Sequence, residues 1–174
     1  MKQKILIIIA ALIAGAAGIV VQHFSSAPAP TTATASLLST QLPDLSGQPQ
    51  QLAQWQGKIL IINFWATWCP PCLTEIPEFI ALQKQYANKN VQFIGIAVDE
   101  KQAVADYNAT AKINYPLLIA SDAGINLSKT WGNTIESVPF TVVLNPQGQI
   151  IYRQLGEINR EQLLTVIQPL LKTR

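Results

Sequence analysis

The chain is poor in side chains that bind metals or act as nucleophiles: 174 residues hold two cysteines and one histidine. A four-ligand zinc site has too few donors here, because there is no third cysteine and His23 lies far upstream beside an N-terminal apolar segment. No metal and no cofactor is expected. A surplus of positive charge is missing as well. The formal charge is +2, two of the twelve basic residues are Lys2 and Lys4 ahead of the first apolar segment, and from residue 37 onward ten Lys/Arg balance ten Asp/Glu. That leaves no basic field for nucleic acid and no polybasic stripe for anionic lipid. Internal repeats are absent. A chain of this length with 49% hydrophobic residues has enough material for one domain with a sizeable core plus a short appendage.

What the chain does have is both cysteines in one place, in Trp68-Cys69-Pro70-Pro71-Cys72, directly after an apolar run. A purely structural disulfide gains by closing a long loop, and this one would enclose almost nothing. A dithiol that exchanges with other disulfides is the simpler reading. If a strand turns into a helix at Cys69, that sulfur meets unpaired backbone N–H groups and the positive end of the helix dipole, which favour thiolate over thiol. Cys69 is therefore the candidate attacking sulfur. Cys72, one turn further along and less open to solvent, is the candidate resolving sulfur. Pro71 suits a first helical turn because it lacks an N–H that would have no partner there, and Pro70 stiffens the approach.

Residues 5 to 21 are apolar or glycine and follow two lysines, as in a signal-peptide core or a short transmembrane helix. Either reading exports the rest, since no ionised residue follows until Asp44. Cleavage has poor support: Ala27-Pro28-Ala29 is followed by Pro30, and Ala33-Thr34-Ala35 lies far from the apolar core. The expectation is a retained anchor over residues 1–21, a Pro/Thr/Ala linker over 22–36 and a folded domain over 37–174. The domain then lies outside the cytoplasmic membrane, held to a bacterial inner membrane, in a compartment where disulfides persist.

Residues 42 to 47, leading to Trp55, carry turn residues and read as an extended or hairpin element. Residues 58 to 65 form a near-continuous apolar run, a strand covered on both faces. Helical spacing follows from 71 to about 88, with a kink expected at Pro77. A strand over 91–98, a helix over 100–113, a short strand over 116–120 and a helix over 125–131 ended by Gly132 complete an α/β order with parallel strands. Residues 140–144 and 149–153 flank Asn145-Pro146-Gln147-Gly148 as a hairpin. Asn159 and Gln162 can cap a last helix carrying Leu163, Ile167 and Leu170 on one face.

Asn63 through Cys72, with Glu75 and Pro77 after it and Val138-Pro139-Phe140-Thr141 beyond, resembles the thioredoxin superfamily. More narrowly it is similar to the exported, membrane-anchored thiol-disulfide oxidoreductases of the TlpA/ResA type, which include cytochrome c maturation reductases. The resemblance covers about residues 37 to 172. It implies an α/β thioredoxin-like fold, a central mixed sheet flanked by helices, with an inserted strand and helix between Asp99 and Gly124. Cys69 matches the family's nucleophile and Cys72 its resolving thiol, together the redox-active disulfide. Pro139 matches the proline that is cis in this superfamily and faces the cysteines, where the Val138 backbone would pair with substrate. Trp68, Pro70 and Pro71 complete the candidate substrate contacts, whereas Trp65 is expected in the core. Glu75 matches an acidic residue that modulates thiol ionisation and proton transfer; the residues alone leave open an ordinary first-turn glutamate.

Asn63 stands where cytoplasmic thioredoxin has a buried aspartate, which closes that proton route and turns attention to Glu75. The Pro-Pro dipeptide has neither the histidine of strong oxidants nor the glycine of thioredoxin, which tilts the direction toward reduction. The partners so implied are protein disulfides, apocytochrome c among them, and a membrane electron donor that restores the dithiol. A disulfide oxidant or isomerase of the same fold and a binding module remain as alternatives. A copper chaperone lacks its distal histidine, and peroxide reduction lacks a threonine three residues before Cys69. Glu136 reads as a residue of a solvated loop.

Overall fold

The computed structural model of the protein describes residues 37–171. The anchor over 1–21 and the linker over 22–36 lie outside the described residues. Among the described residues no helix is long and apolar enough to cross a membrane.

The elements run β1 (Gln41–Pro43), β2 (Pro49–Gln51), β3 (Ile59–Trp65), α1 (Pro70–Tyr86), β4 (Val91–Ala97), α2 (Lys101–Ala111), β5 (Leu117–Ile119), α3 (Ala123–Thr130), β6 (Phe140–Leu144), β7 (Ile150–Leu155) and α4 (Arg160–Leu171). β1 and β2 form the expected N-terminal hairpin, bridged to the main sheet through Asp44 and Leu118. The main sheet has the order β5-β4-β3-β6-β7. β4 and β5 run parallel to β3 and its neighbour, while β6 is antiparallel to both β3 and β7, so the sheet is mixed. The unit expected between Asp99 and Gly124 is α2 followed by β5, which occupies one edge.

β3 is central, and all seven of its residues are buried. Side chains alternate along a strand, so Ile59, Ile61, Asn63 and Trp65 share one face and Leu60, Ile62 and Phe64 the other. The first face meets Ile76, Phe79 and Leu82 of α1 and Leu163 and Ile167 of α4. The second meets Leu37, Leu38, Leu52 and Trp131. A strand sandwiched in this way has no polar face, which is why its sequence reads as an apolar run rather than an alternation. The buried set of α1, Cys72, Glu75, Ile76, Phe79, Leu82, Gln83 and Tyr86, follows helical spacing toward the first face. Pro77 lies on the exposed side of α1, which continues through it.

Local signals set the remaining boundaries. Asn159 and Gln162 exchange bonds at the start of α4, the Gln162 N–H donating to Asn159 Oδ1 at 2.9 Å and the Asn159 N–H to Gln162 Oε1 at 3.0 Å. In the β6–β7 turn the Gly148 N–H donates to the Asn145 carbonyl at 2.8 Å with φ of +80°, a backbone that favours glycine. β7 runs two residues past the expected 149–153, because its pairing continues to Leu155 opposite Phe140.

Burial separates residues that hold the sheet from residues that merely coat it. Ile62→Ala, at a site with no exposure, should lower unfolding free energy by about 2–5 kcal/mol. Ile151→Ala, at a site 42% exposed on the edge strand, should stay within about 0.5 kcal/mol in the same denaturant titration.

Candidate active site

β3 ends at Trp65, and the chain makes one turn, Cys69 N–H to the Ala66 carbonyl at 3.3 Å, before α1 begins. Asp99, just past the end of β4, pins that turn by accepting from the Thr67 N–H at 2.9 Å and the Thr67 hydroxyl at 2.6 Å. Cys69 is the N-cap of α1, and its sulfur accepts from the Cys72 N–H at 3.3 Å. One of the orphan donors of the helix start therefore points at the sulfur that sequence reasoning assigns as the nucleophile. Pro70 and Pro71 occupy the first two helical positions. Both are exposed, as is Trp68 at 65%.

Cys69 and Cys72 are joined as a disulfide with Cα atoms 5.3 Å apart. Both sulfurs belong to the hydrophobic cluster between the sheet and α1. The expected ranking of exposure holds by a narrow margin, 3% for Cys69 against 0% for Cys72. The Val138–Pro139 peptide is cis. Antiparallel pairing of Phe64 with Phe140 brings the end of β3 beside the start of β6, so the residues leading to Cys69 and Pro139 meet at the same end of two neighbouring strands. Val138 is half-buried and Pro139 buried.

Beneath this pair lies a small polar network. Glu75 is 2% exposed, which excludes the ordinary first-turn glutamate that the residues alone left open. The Asn63 side-chain amide donates to Glu75 Oε1 at 2.6 Å and to the Thr141 hydroxyl oxygen at 3.0 Å. The Ile158 N–H donates to Glu75 Oε2 at 3.0 Å. These donors are neutral, so they satisfy the carboxylate oxygens without cancelling the charge. Burial is the largest influence and pushes the Glu75 carboxyl up from the ordinary 4.5 to about 7, against the two hydrogen bonds and with help from Glu157. Tyr115 is buried nearby, and its phenol is pushed up chiefly by burial and further by Glu75.

Trp65 is 1% exposed and packs on Tyr107, as expected of a core residue. Glu136 sits in an exposed loop, ion-paired to Lys129 at 2.9 Å. Sequence reasoning missed Asp99, Thr141, Tyr115, Glu157 and Ile158. An Asp in the short connection between an apolar strand and a helix was the available signal for Asp99. None exists for Ile158, which contributes only its backbone.

A buried carboxyl raised in this way binds its proton more tightly in the folded than in the unfolded chain. Its effect on stability is therefore neutral below pH 4.5, turns unfavourable as pH climbs to about 7 and is constant above. Relative to Glu75→Gln, the wild-type chain should lose roughly 3 kcal/mol across that window, read from denaturant midpoints against pH. Parallel curves for the two proteins would mean that Glu75 is not held as described.

Known proteins place these features. The redoxin family model matches residues 25–167. The thiol-disulfide oxidoreductase ResA of Bacillus thuringiensis subsp. konkukian is 33% identical over 121 residues, covering 69% of this chain and 68% of the relative. The thioredoxin-like protein YneN of Bacillus subtilis is 35% identical over 126 residues, 70% of this chain and 71% of the relative. Among solved structures, a thioredoxin-family thiol:disulfide interchange protein of Chlorobium tepidum superimposes with a TM-score of 0.69 at 28% identity, over 84% of this chain and 99% of that one. With a cysteine pair at a helix start, a mixed five-stranded sheet and these relatives, the chain belongs to the redoxin family of the thioredoxin superfamily, as a thiol-disulfide oxidoreductase of the TlpA/ResA kind.

Proposed function

We propose that this oxidoreductase works as a reductant of protein disulfides, tethered by its N-terminal apolar segment with the folded domain outside the cytoplasmic membrane. The observation that carries the reading is Cys69 at the N-cap of α1, its sulfur receiving the Cys72 N–H and its flanks formed by exposed Trp68, Pro70 and Pro71. Substrate backbone pairs along Val138 beside the cis Pro139.

In the reduced enzyme the Cys69 thiolate attacks one sulfur of a substrate disulfide. An enzyme–substrate S–S bond forms, and the other substrate sulfur departs with the electron pair. The Cys72 thiol then gives its proton to the Glu75 carboxylate. The resulting thiolate attacks Cys69, the mixed disulfide breaks, and the second substrate sulfur leaves reduced. Two electrons have passed from the dithiol to the substrate, and Cys69–Cys72 is a disulfide again. A membrane dithiol donor restores it. A base whose proton affinity lies near neutrality suits this second step, since it can both take and release a proton at working pH.

Chemistry and family resemblance support this direction and this substrate class. The two prolines add no positive charge that would stabilise the Cys69 thiolate strongly and make the disulfide a powerful oxidant. Apocytochrome c, whose haem-attachment cysteines must be reduced, is the first substrate to try. The anchor rests on the 17-residue apolar run behind two lysines.

The full chain should reduce insulin disulfides with dithiothreitol as electron source, and Cys69→Ala should abolish turnover. Cys72→Ser should stall at the mixed disulfide and retain its substrate on a non-reducing gel. The reduction potential should lie at about −200 mV or lower; a value near −120 mV, typical of strong oxidants, would reverse the direction.

A further inference from the structure

Two buried strands of the main sheet carry one polar residue each. β3 reads Ile59-Leu60-Ile61-Ile62-Asn63-Phe64-Trp65 and β6 reads Phe140-Thr141-Val142-Val143-Leu144. The two polar residues stand directly opposite each other, since Asn63 pairs with Thr141 in the antiparallel ladder. Neither is open to water: Asn63 is 2% exposed and Thr141 has no exposure. Valine would suit such a strand as well as threonine does, so a hydroxyl kept there needs a bonding partner that offsets its burial.

That partner is the Asn63 amide, whose nitrogen donates to Glu75 Oε1 at 2.6 Å and to the Thr141 hydroxyl oxygen at 3.0 Å. An amide nitrogen carries two hydrogens, and both are used here. The rest of the rung offers no competing bond. Gly95, opposite Asn63 on β4, has no side chain. Gln154, opposite Thr141 on β7, accepts from the Tyr152 hydroxyl and donates to the Leu155 carbonyl. Glu75 and Thr141 together therefore set the plane of the amide. Without the hydroxyl, the second N–H would be buried with no acceptor, and the amide would be free to turn its oxygen toward the carboxylate. The titratable groups around Glu75 are Cys72 on α1, Tyr115 before β5, and Glu157 in the turn after β7, with an exposed side chain. Arg160 on α4 is engaged with Glu78 at 3.6 Å, and among the described residues no ion pair reaches Glu75. Its ionised form is held by neutral donors, and the bond from Asn63 favours that form.

We propose that Thr141 is a positioning residue for the exchange reaction: by holding the Asn63 amide with its nitrogen toward Glu75, it keeps that carboxylate ready to take the proton of Cys72. The inference rests on the reductase reading given above. In the step concerned, a Glu75 oxygen takes the proton from the Cys72 sulfur. The freed electron pair forms the Cys72–Cys69 bond, and the Cys69–substrate bond breaks with its pair leaving on the substrate sulfur. Glu75 then returns its proton to that sulfur or to solvent. Thr141 touches neither sulfur in this step and acts through Asn63 alone.

The test is a carbon-13 titration of the Glu75 carboxyl in the full oxidised chain, for the wild type, Thr141→Ser, Thr141→Val, Asn63→Ala and the double variant Asn63→Ala/Thr141→Val. Loss of the Asn63 bond should raise the midpoint by about one pH unit, a tenfold gain in proton affinity, and Thr141→Val should raise it by about half a unit. Thr141→Ser, which keeps the hydroxyl, should titrate as the wild type does. Thr141→Val should add nothing once Asn63 is gone. The pH profile of mixed-disulfide resolution in single-turnover insulin reduction should move in the same order. A Thr141→Val midpoint superimposed on the wild type overturns the proposal, as does an equal shift with and without Asn63, or an unmoved resolution profile when the midpoints shift. If Asn63→Ala does not fold, the contrast between Thr141→Val and Thr141→Ser decides alone. A wild-type chain that reduces no disulfide through Cys69 and Cys72, while the midpoints follow the expected order, overturns the reductase reading instead, and that combination tells the two failures apart.

Discussion

The whole site depends on the place where β3 stops and α1 starts. β3 is buried on both faces and cannot move without unpacking the core, and α1 lays seven buried residues on or beside that same sheet. The few residues between them are consequently fixed at both ends, and Asp99 fixes the middle through Thr67. Cys69 is carried to a point where a helix start supplies a free N–H. The chemistry of the sulfur is a consequence of that geometry: the donor that stabilises negative charge is one that the helix could not have used for itself.

The second constraint is the buried carboxylate of Glu75, which the fold accommodates with hydrogen bonds rather than with an opposite charge. A cation there would hold Glu75 ionised and make it a poor base. Neutral donors from Asn63 and Ile158 satisfy its oxygens yet leave burial dominant, so the group titrates where thiol exchange takes place. The cost falls on stability, which declines as pH rises from 4.5 to about 7. Asn63 replaces an acid with an amide on the same face of β3, so the site keeps one buried charge where an aspartate there would have made two facing carboxylates.

Much of this was legible in the sequence wherever the signal was local. The buried strand showed as a continuous apolar run, the start of α1 as the cysteine pair after it, and the cap of α4 as Asn159 with Gln162 three residues on. The expected hairpins at both ends of the domain are present, and family resemblance marked Pro139 as cis. Boundaries set by long-range pairing were less legible: β7 extends to Leu155 because Phe140 is there to pair with it. What stayed hidden was the second half of the polar network. Glu75 and Ile158 are 83 positions apart, and an interaction made by a backbone N–H leaves no mark on residue type. The burial of Glu75 likewise depends on how α1 is rotated against the sheet.

The most direct measurement of the central claim is differential alkylation of the reduced full chain with iodoacetamide, with each cysteine followed by mass spectrometry across a pH series. If the strand-to-helix junction makes Cys69 the nucleophile, its sulfur is modified first at neutral pH and ahead of Cys72 at every pH. Equal rates, a reversed order, or a Cys69 inert at neutrality would contradict it.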